Sequence, residues 1–418
     1  MKKILLCSLL LASGFVFAGC GSSNGDSTTI KWAVWDVKKE SVEHDLVKAF
    51  EKEHPDIEIE LTNIASADYQ DKITTMLAAG NTTDVITMKN ARQYVALAYS
   101  GALMDLTDHL SANENVAKAE SAFDSLYTEE GKIYAEPIKA DSWYLFYNKD
   151  LFDQKGVAYP ENITWDEYAS IAKQLTDSDE KVFGSYQVVW PSVVQAPAYA
   201  QSDIDYANPD YEWLRSFYET ALDLQDQGYA QSFATNSASS EAAGYETAFE
   251  NEQAGMLIMG TWYVPTLIAS SLAGDTDVNW GLAQLPQQRD AEGIQTASAI
   301  TGVAVNNNSR HKSDSQKFVD FLASEEAAQI YAKKGVFPAI ASETVTNNLL
   351  SIEGMATDDL TKQTLNAEKQ LKGELPISKK TSSVNTILEE THSMIMNEEI
   401  TLDEAIDEMN HRVADLEK

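Results

Sequence analysis

Ile30-Lys31-Trp32-Ala33-Val34-Trp35 is an apolar run broken once, by Lys31. It has the length of a buried strand and is too short for a helix. Val42, Leu46, Ala49 and Phe50 then recur at helical spacing. Ile57, Ile59 and Leu61 alternate, which predicts a strand with one buried face. Tyr69 to Ala79 is predicted helical, with Ile73, Met76 and Leu77 facing inward, and Asp84-Val85-Ile86-Thr87-Met88 is a further strand. Strands alternating with helices in this way predict an α/β lobe with a largely parallel sheet.

A second block begins near Pro137, and 418 residues suit two lobes better than one. Trp143 to Tyr147 is an aromatic-rich strand. Thr164-Trp165-Asp166-Glu167 is a capping box, in which the Thr hydroxyl and the Glu carboxylate satisfy free backbone donors at a helix start, so Trp165 is taken as structural. Helices are predicted over roughly Tyr211 to Gln225, Ala242 to Asn251 and Ser315 to Ala323. A second capping box, Thr401-Leu402-Asp403-Glu404, opens a terminal helix with Leu402, Ala405, Met409, Val413 and Leu416 on one face.

Composition removes several classes of function. The chain has 65 acidic and 31 basic side chains, a net charge of −34, and no basic stripe, so nucleic acid is excluded as a partner. Both cysteines, Cys7 and Cys20, lie in the first twenty residues, which excludes cysteine nucleophiles and cysteine-ligated zinc from the body. No two of the six histidines have the i, i+4 spacing of a helical metal pair, and neither a phosphate-cradling loop nor a GxGxxG after a strand occurs. No metal and no cofactor is expected. The GxSxG pattern at Gly21-Ser22-Ser23-Asn24-Gly25 has no preceding strand, and a nucleophile elbow needs one.

The first twenty residues read as an address. Lys2 and Lys3 precede an apolar run from Ile4 to Ala18 of signal-peptide length, ending in Phe17-Ala18-Gly19-Cys20. Residues 1–19 are expected to be cleaved and Cys20 to carry acyl chains, similar to a bacterial lipobox. Residues 20–28 form a polar tether.

Five stretches, in order, resemble the bacterial extracellular solute-binding proteins that include maltose-binding protein. They are Asp84-Val85-Ile86 with Ser100-Gly101-Ala102-Leu103-Met104-Asp105-Leu106; Ile133-Tyr134-Ala135-Glu136-Pro137 leading to Tyr147-Asn148-Lys149-Asp150-Leu151-Phe152; and Lys155-Gly156-Val157 through Pro160 to the first capping box. Then come Ala248-Phe249-Glu250-Asn251-Glu252-Gln253-Ala254-Gly255-Met256 with Gly260-Thr261-Trp262, and Phe318-Val319-Asp320-Phe321-Leu322-Ala323-Ser324 with Gly335-Val336-Phe337-Pro338-Ala339. The resemblance implies an α/β, two-lobe periplasmic-binding-protein-like fold with hinge strands and an interlobe ligand cleft. Lobe 1 is expected at 29–138 plus 302–338 and lobe 2 at 139–301 plus 339–418, with crossings near 137–141, 299–303 and 336–340. It further implies a monomeric, non-enzymatic binding component, lipid-anchored on the extracytoplasmic face of the cell membrane. That component would close on a mono- or oligosaccharide and deliver it to an ABC permease.

A pyranose offers an apolar C–H face and a polar edge, so its site needs flat aromatics rimmed by carboxylates and amides. Trp35 and Asp36 end the first strand, where open α/β sheets present ligands. The resemblance carries Asp141 over as an acidic sugar ligand and Trp262 as a stacking platform. Trp190 in a loop beside Pro191, Asn90 after the Asp84 strand, Trp143 and Tyr69 complete the candidates, with core packing the competing role for the aromatics. Polyamine, peptide or metal-complex binding uses overlapping chemistry. A glycoside hydrolase using Asp141 with Glu136, or a surface adhesin, is a further alternative.

Overall fold

The computed structural model describes residues 27–111, 113–238 and 241–416; Cys7, Cys20 and the leader and tether up to residue 26 lie outside that range. Among the described residues no helix is long and apolar enough to cross a membrane.

The first lobe is organised by β1 (Thr28–Trp35), β2 (Ile57–Ile64) and β3 (Val85–Met88), with β1 pairing parallel to both neighbours. Helices Val42–Glu53 and Tyr69–Ala78 form the crossovers, and Leu46, Phe50, Ile73 and Leu77 are buried on their inner faces. β4 (Glu136–Asn148) then leaves this lobe. Its first half pairs with β8 (Gln295–Val305), and its second half pairs with β6 (Ala254–Gly260) and β7 (Trp280–Ala283). β5 (Phe183–Tyr186) extends the sheet parallel to β6, and β9 (Gln370–Gly373) runs parallel to the start of β8. The sheet is therefore parallel only over β2-β1-β3 and across β5-β6 and β8-β9. β8 meets both β3 and β4 antiparallel. The expectation of a largely parallel sheet fails there because the joining strands are outgoing and returning lengths of one chain.

The three segments expected as crossings lie side by side. Lys139, Ala140 and Asp141 face Thr301, Ile300 and Ala299. On the other edge the Ala140 N–H donates to the Phe337 carbonyl (3.3 Å), and the Ala339 N–H donates to the Ile138 carbonyl (3.1 Å). Proline at 137 has no N–H to give, and the β4–β8 register shifts there, between Pro137 and Lys139. One core gathers Trp32, Leu46, Phe50 and Phe318 in the first lobe. Another gathers Trp143, Tyr168, Phe217, Leu388 and Met409 in the second. Both capping boxes form, each Thr accepting from the N3 backbone while its Glu accepts from the cap. The terminal helix ends at Asp415, which leaves Leu416 40% exposed rather than on the buried face.

Candidate functional site

A cavity of about 470 Å³ opens between the lobes. Gln70, Asn90 and Arg92 line it from the first lobe; Trp190, Gln195, Tyr206, Glu374, Asn385 and Glu389 line it from the second. The Arg92 guanidinium reaches both Glu389 oxygens, at 3.2 and 3.0 Å, so an ion pair spans the mouth. Asn90 caps helix Ala91–Tyr99: its Oδ1 accepts from the Gln93 N–H (2.9 Å) and from the Gln70 amide (3.1 Å), which joins the two lining residues of the first lobe.

An aromatic and acidic cluster adjoins the lining residues Trp190 and Glu374, and its order follows from strand alternation. Asp141 and Trp143 are two residues apart on β4 and share a face. Trp143 faces Gly260 across the β4–β6 ladder. One 3₁₀ turn, Thr261–Tyr263, then brings Trp262 back over that pair. The Trp262 ring meets Trp143 edge-on (5.1 Å, 90°) and lies 6.4 Å from Trp190. Trp190 in turn sets its edge against Tyr245. Trp143 is fully buried, yet its indole N–H donates to Glu374 Oε1 at 2.6 Å. Asp141 is 7% exposed and accepts from the Thr261 hydroxyl at 2.9 Å.

Both carboxyls are poised near neutrality. Burial pushes Asp141 up to about 6, against the pull of the Lys139 ammonium and the Thr261 bond. Burial pushes Glu374 up to about 7; the Trp143 bond opposes this and the neighbouring Asp141 charge adds to it. These acids, set among indoles, offer hydrogen-bond acceptors to hydroxyls and flat π faces to C–H groups. Neutral polyols fit that chemistry directly.

The sequence candidates separate into two groups. Asn90 and Trp190 line the cavity with Glu374, while Asp141, Trp143 and Trp262 are not among its lining residues: Trp143 bonds Glu374, Trp262 packs on Trp143 and near Trp190, and Asp141 bonds Thr261. Trp35 borders a separate space of about 40 Å³ with Thr87 and Lys139, under the Lys139 ammonium at 5.2 Å. Asp36 adopts a left-handed backbone (φ 49) and accepts from the Ser66 N–H. Tyr69 is wholly buried beneath Trp35, and its hydroxyl lies on the carbonyls of Ala33 (3.0 Å) and Thr87 (2.8 Å). Glu136 and Asp141 turn to different neighbours, Glu136 to Gln316 and Asp141 to Thr261, so they do not face each other as a hydrolase pair would. Trp165 is structural as expected, with its edge against Tyr168 and Phe217 and its N–H on Gln201.

Glu374, Arg92, Gln70, Glu389 and Asn385 were not singled out from the sequence. Glu374 follows β9, whose four residues show no alternation, and only pairing to β8 brings it to the site. Arg92 and Glu389 meet across 297 positions.

Two lobes joined by shared strands around an aromatic, acidic cleft define a hinged solute-binding protein. The pattern of the bacterial extracellular solute-binding protein family matches residues 37–329, and the chain belongs to that family. Its members act outside the cytoplasm as receptors of importers. A crystal structure of a sugar transporter from Rhizobium etli, in an open conformation, superposes with a TM-score of 0.83 at 32% identity, covering 93% of this chain and 99% of the other. An ABC substrate-binding protein from Listeria monocytogenes in complex with cycloalternan has the same fold (TM-score 0.77, 22% identity, 94% and 99% covered). The multiple sugar-binding protein of Streptococcus mutans is 22% identical over 79% of this chain and 80% of its own length.

Proposed function

We propose that this chain is the extracytoplasmic carbohydrate-binding component of an ABC importer, and that it takes an oligosaccharide into the cleft bounded by Trp190, Trp262, Asp141 and Glu374. The observation that carries this reading is the convergence of indoles and carboxylates from one lobe with the amides of Gln70 and Asn90 from the other. A ligand that contacts both sides favours the closed arrangement of the lobes. Those lobes are taken as 29–138 with 302–338, and 139–301 with 339–418. The likeness to the Rhizobium etli sugar transporter and to the multiple sugar-binding protein of Streptococcus mutans supports the ligand class. The same reading makes the chain a monomer without catalytic activity, released from its leader at Cys20 and held on the membrane by acyl chains there.

Thermal shift against oligosaccharides, monosaccharides, polyamines and peptides tests the ligand class, since a ligand of the folded state raises Tm by mass action. An oligosaccharide is expected to give the largest rise and to compact the particle in solution scattering. Trp262→Ala is expected to weaken that sugar about thirtyfold, roughly 2 kcal/mol for the lost apolar face. A polyamine that stabilises the chain while every carbohydrate fails would overturn the assignment.

A further inference from the structure

We propose that His109, Glu136 and Asp320 form a divalent-cation site that ties the start of hinge strand β4 to the first lobe. The three come from separate elements: His109 from helix Thr107–Leu110, Glu136 from the first position of β4, and Asp320 from helix Lys312–Leu322. One donor atom from each lies within 4.8 Å of the other two. His109 Nε2 is 2.8 Å from Asp320 Oδ1.

Glu136 supplies the independent observation. It is 0% exposed, and its Oε2 has no hydrogen-bond partner. Its other oxygen accepts from the Gln316 amide (3.0 Å), and the same amide nitrogen donates to Asp320 Oδ1 (2.9 Å). Gln316 thus holds both carboxylates in one orientation, as residues behind a metal's ligands do. The Glu136 and Asp320 carboxylates, held side by side with only the Gln316 amide between them, repel each other. A cation between them removes that repulsion and gives the orphaned oxygen a partner.

One imidazole and two carboxylates suit zinc or manganese rather than calcium, which takes oxygen ligands alone. Zinc bonds of ~2.0–2.2 Å set tetrahedral donors about 3.3 Å apart, so His109 and Asp320, at 2.8 Å, would part slightly to admit the ion, with the Glu136 oxygen within 4.8 Å of both. His109 and Asp320 are partly exposed, with side chains 41% and 36% accessible, which leaves the ion an entry path.

The test is calorimetric titration of the full chain, stripped with chelator, with Zn²⁺ and separately with Mn²⁺. One of these is expected to bind once per chain with micromolar or tighter Kd and to raise Tm. His109→Ala and the near-isosteric Glu136→Gln should each weaken binding at least tenfold, with circular dichroism unchanged. Trp262→Ala, in the carbohydrate cleft, should leave the ion's affinity untouched. Uptake of neither ion by the parent chain overturns the site, as does equal uptake by both variants. Loss of uptake in Trp262→Ala would move the ion to the cleft and equally overturn it.

Discussion

Gly260→Ala is expected to weaken carbohydrate binding about a hundredfold or more and to lower the melting temperature. Its backbone (φ −80°, ψ 158°) is one any residue adopts, so conformational entropy alone predicts a gain of about 0.4–1 kcal/mol from the alanine. Packing decides the opposite. A Cβ at 260 would lie 2.0 Å from Cζ3 and 2.2 Å from Cη2 of Trp262, because that ring lies directly over the glycine. The ring is already crowded, with Trp143 perpendicular to it at 5.1 Å and Trp190 at 6.4 Å. Pushed off the glycine, it is expected to move toward the space proposed for the sugar. Overpacking of this kind costs about 1–3 kcal/mol of stability. Loss of the platform together with occlusion should weaken binding a hundredfold or more, on the order of 3 kcal/mol. Adding Trp262→Ala to Gly260→Ala should recover Tm and cost little further affinity, since the two residues act through one ring. Calorimetry on the four forms measures this, and parent-like affinity in Gly260→Ala refutes the packing argument.

This dependence explains why part of the site was legible beforehand. Local signals survive in one sequence: the periodicity of β1 and its crossover, and the capping boxes at Thr164 and Thr401, each completed within four residues. The candidacies of Asp141 and Trp262 rest on resemblance to a family, and the Thr261 hydroxyl ties Asp141 to the turn that carries Trp262. What was illegible depends on contacts between distant parts of the chain. Glu374 has no pattern of its own and reaches Trp143 across 231 positions. His109, Glu136 and Asp320 converge only after helix Lys312–Leu322 packs beside β4. Tyr69 shows the converse. An aromatic at a helix start next to a cleft invites a ligand role, yet its hydroxyl is consumed by two strand carbonyls that no periodicity marks.

Carbohydrate affinity is expected to fall by about a hundredfold or more between pH 8 and pH 5, with Asp141 and Glu374 responsible. Carboxylates accept from sugar hydroxyls with two full oxygens only when ionised. With Asp141 at about 6 and Glu374 at about 7, acidification from pH 8 protonates Glu374 first and Asp141 next. For each carboxyl that must be ionised, affinity drops up to about tenfold per pH unit below its pKa. Stability moves the other way. Both groups bind protons more tightly folded than unfolded, so the unfolded chain sheds them first as pH rises from about 4. The folded state then loses stability up to about pH 7, by on the order of 3 kcal/mol for Asp141 alone. His392 adds a slope of opposite sign below about pH 6.5, because burial lowers its pKa to about 3 and keeps it neutral in the fold. The decisive quantity is therefore the difference between the parent chain and Asp141→Asn/Glu374→Gln, measured by denaturant titration and by calorimetry from pH 4.5 to 8. The double variant should bind weakly at every pH with a flat profile, and its stability relative to the parent should rise across that range. Parallel pH profiles for the two proteins, in affinity and in stability, would show that these carboxyls neither titrate in this window nor hold the sugar.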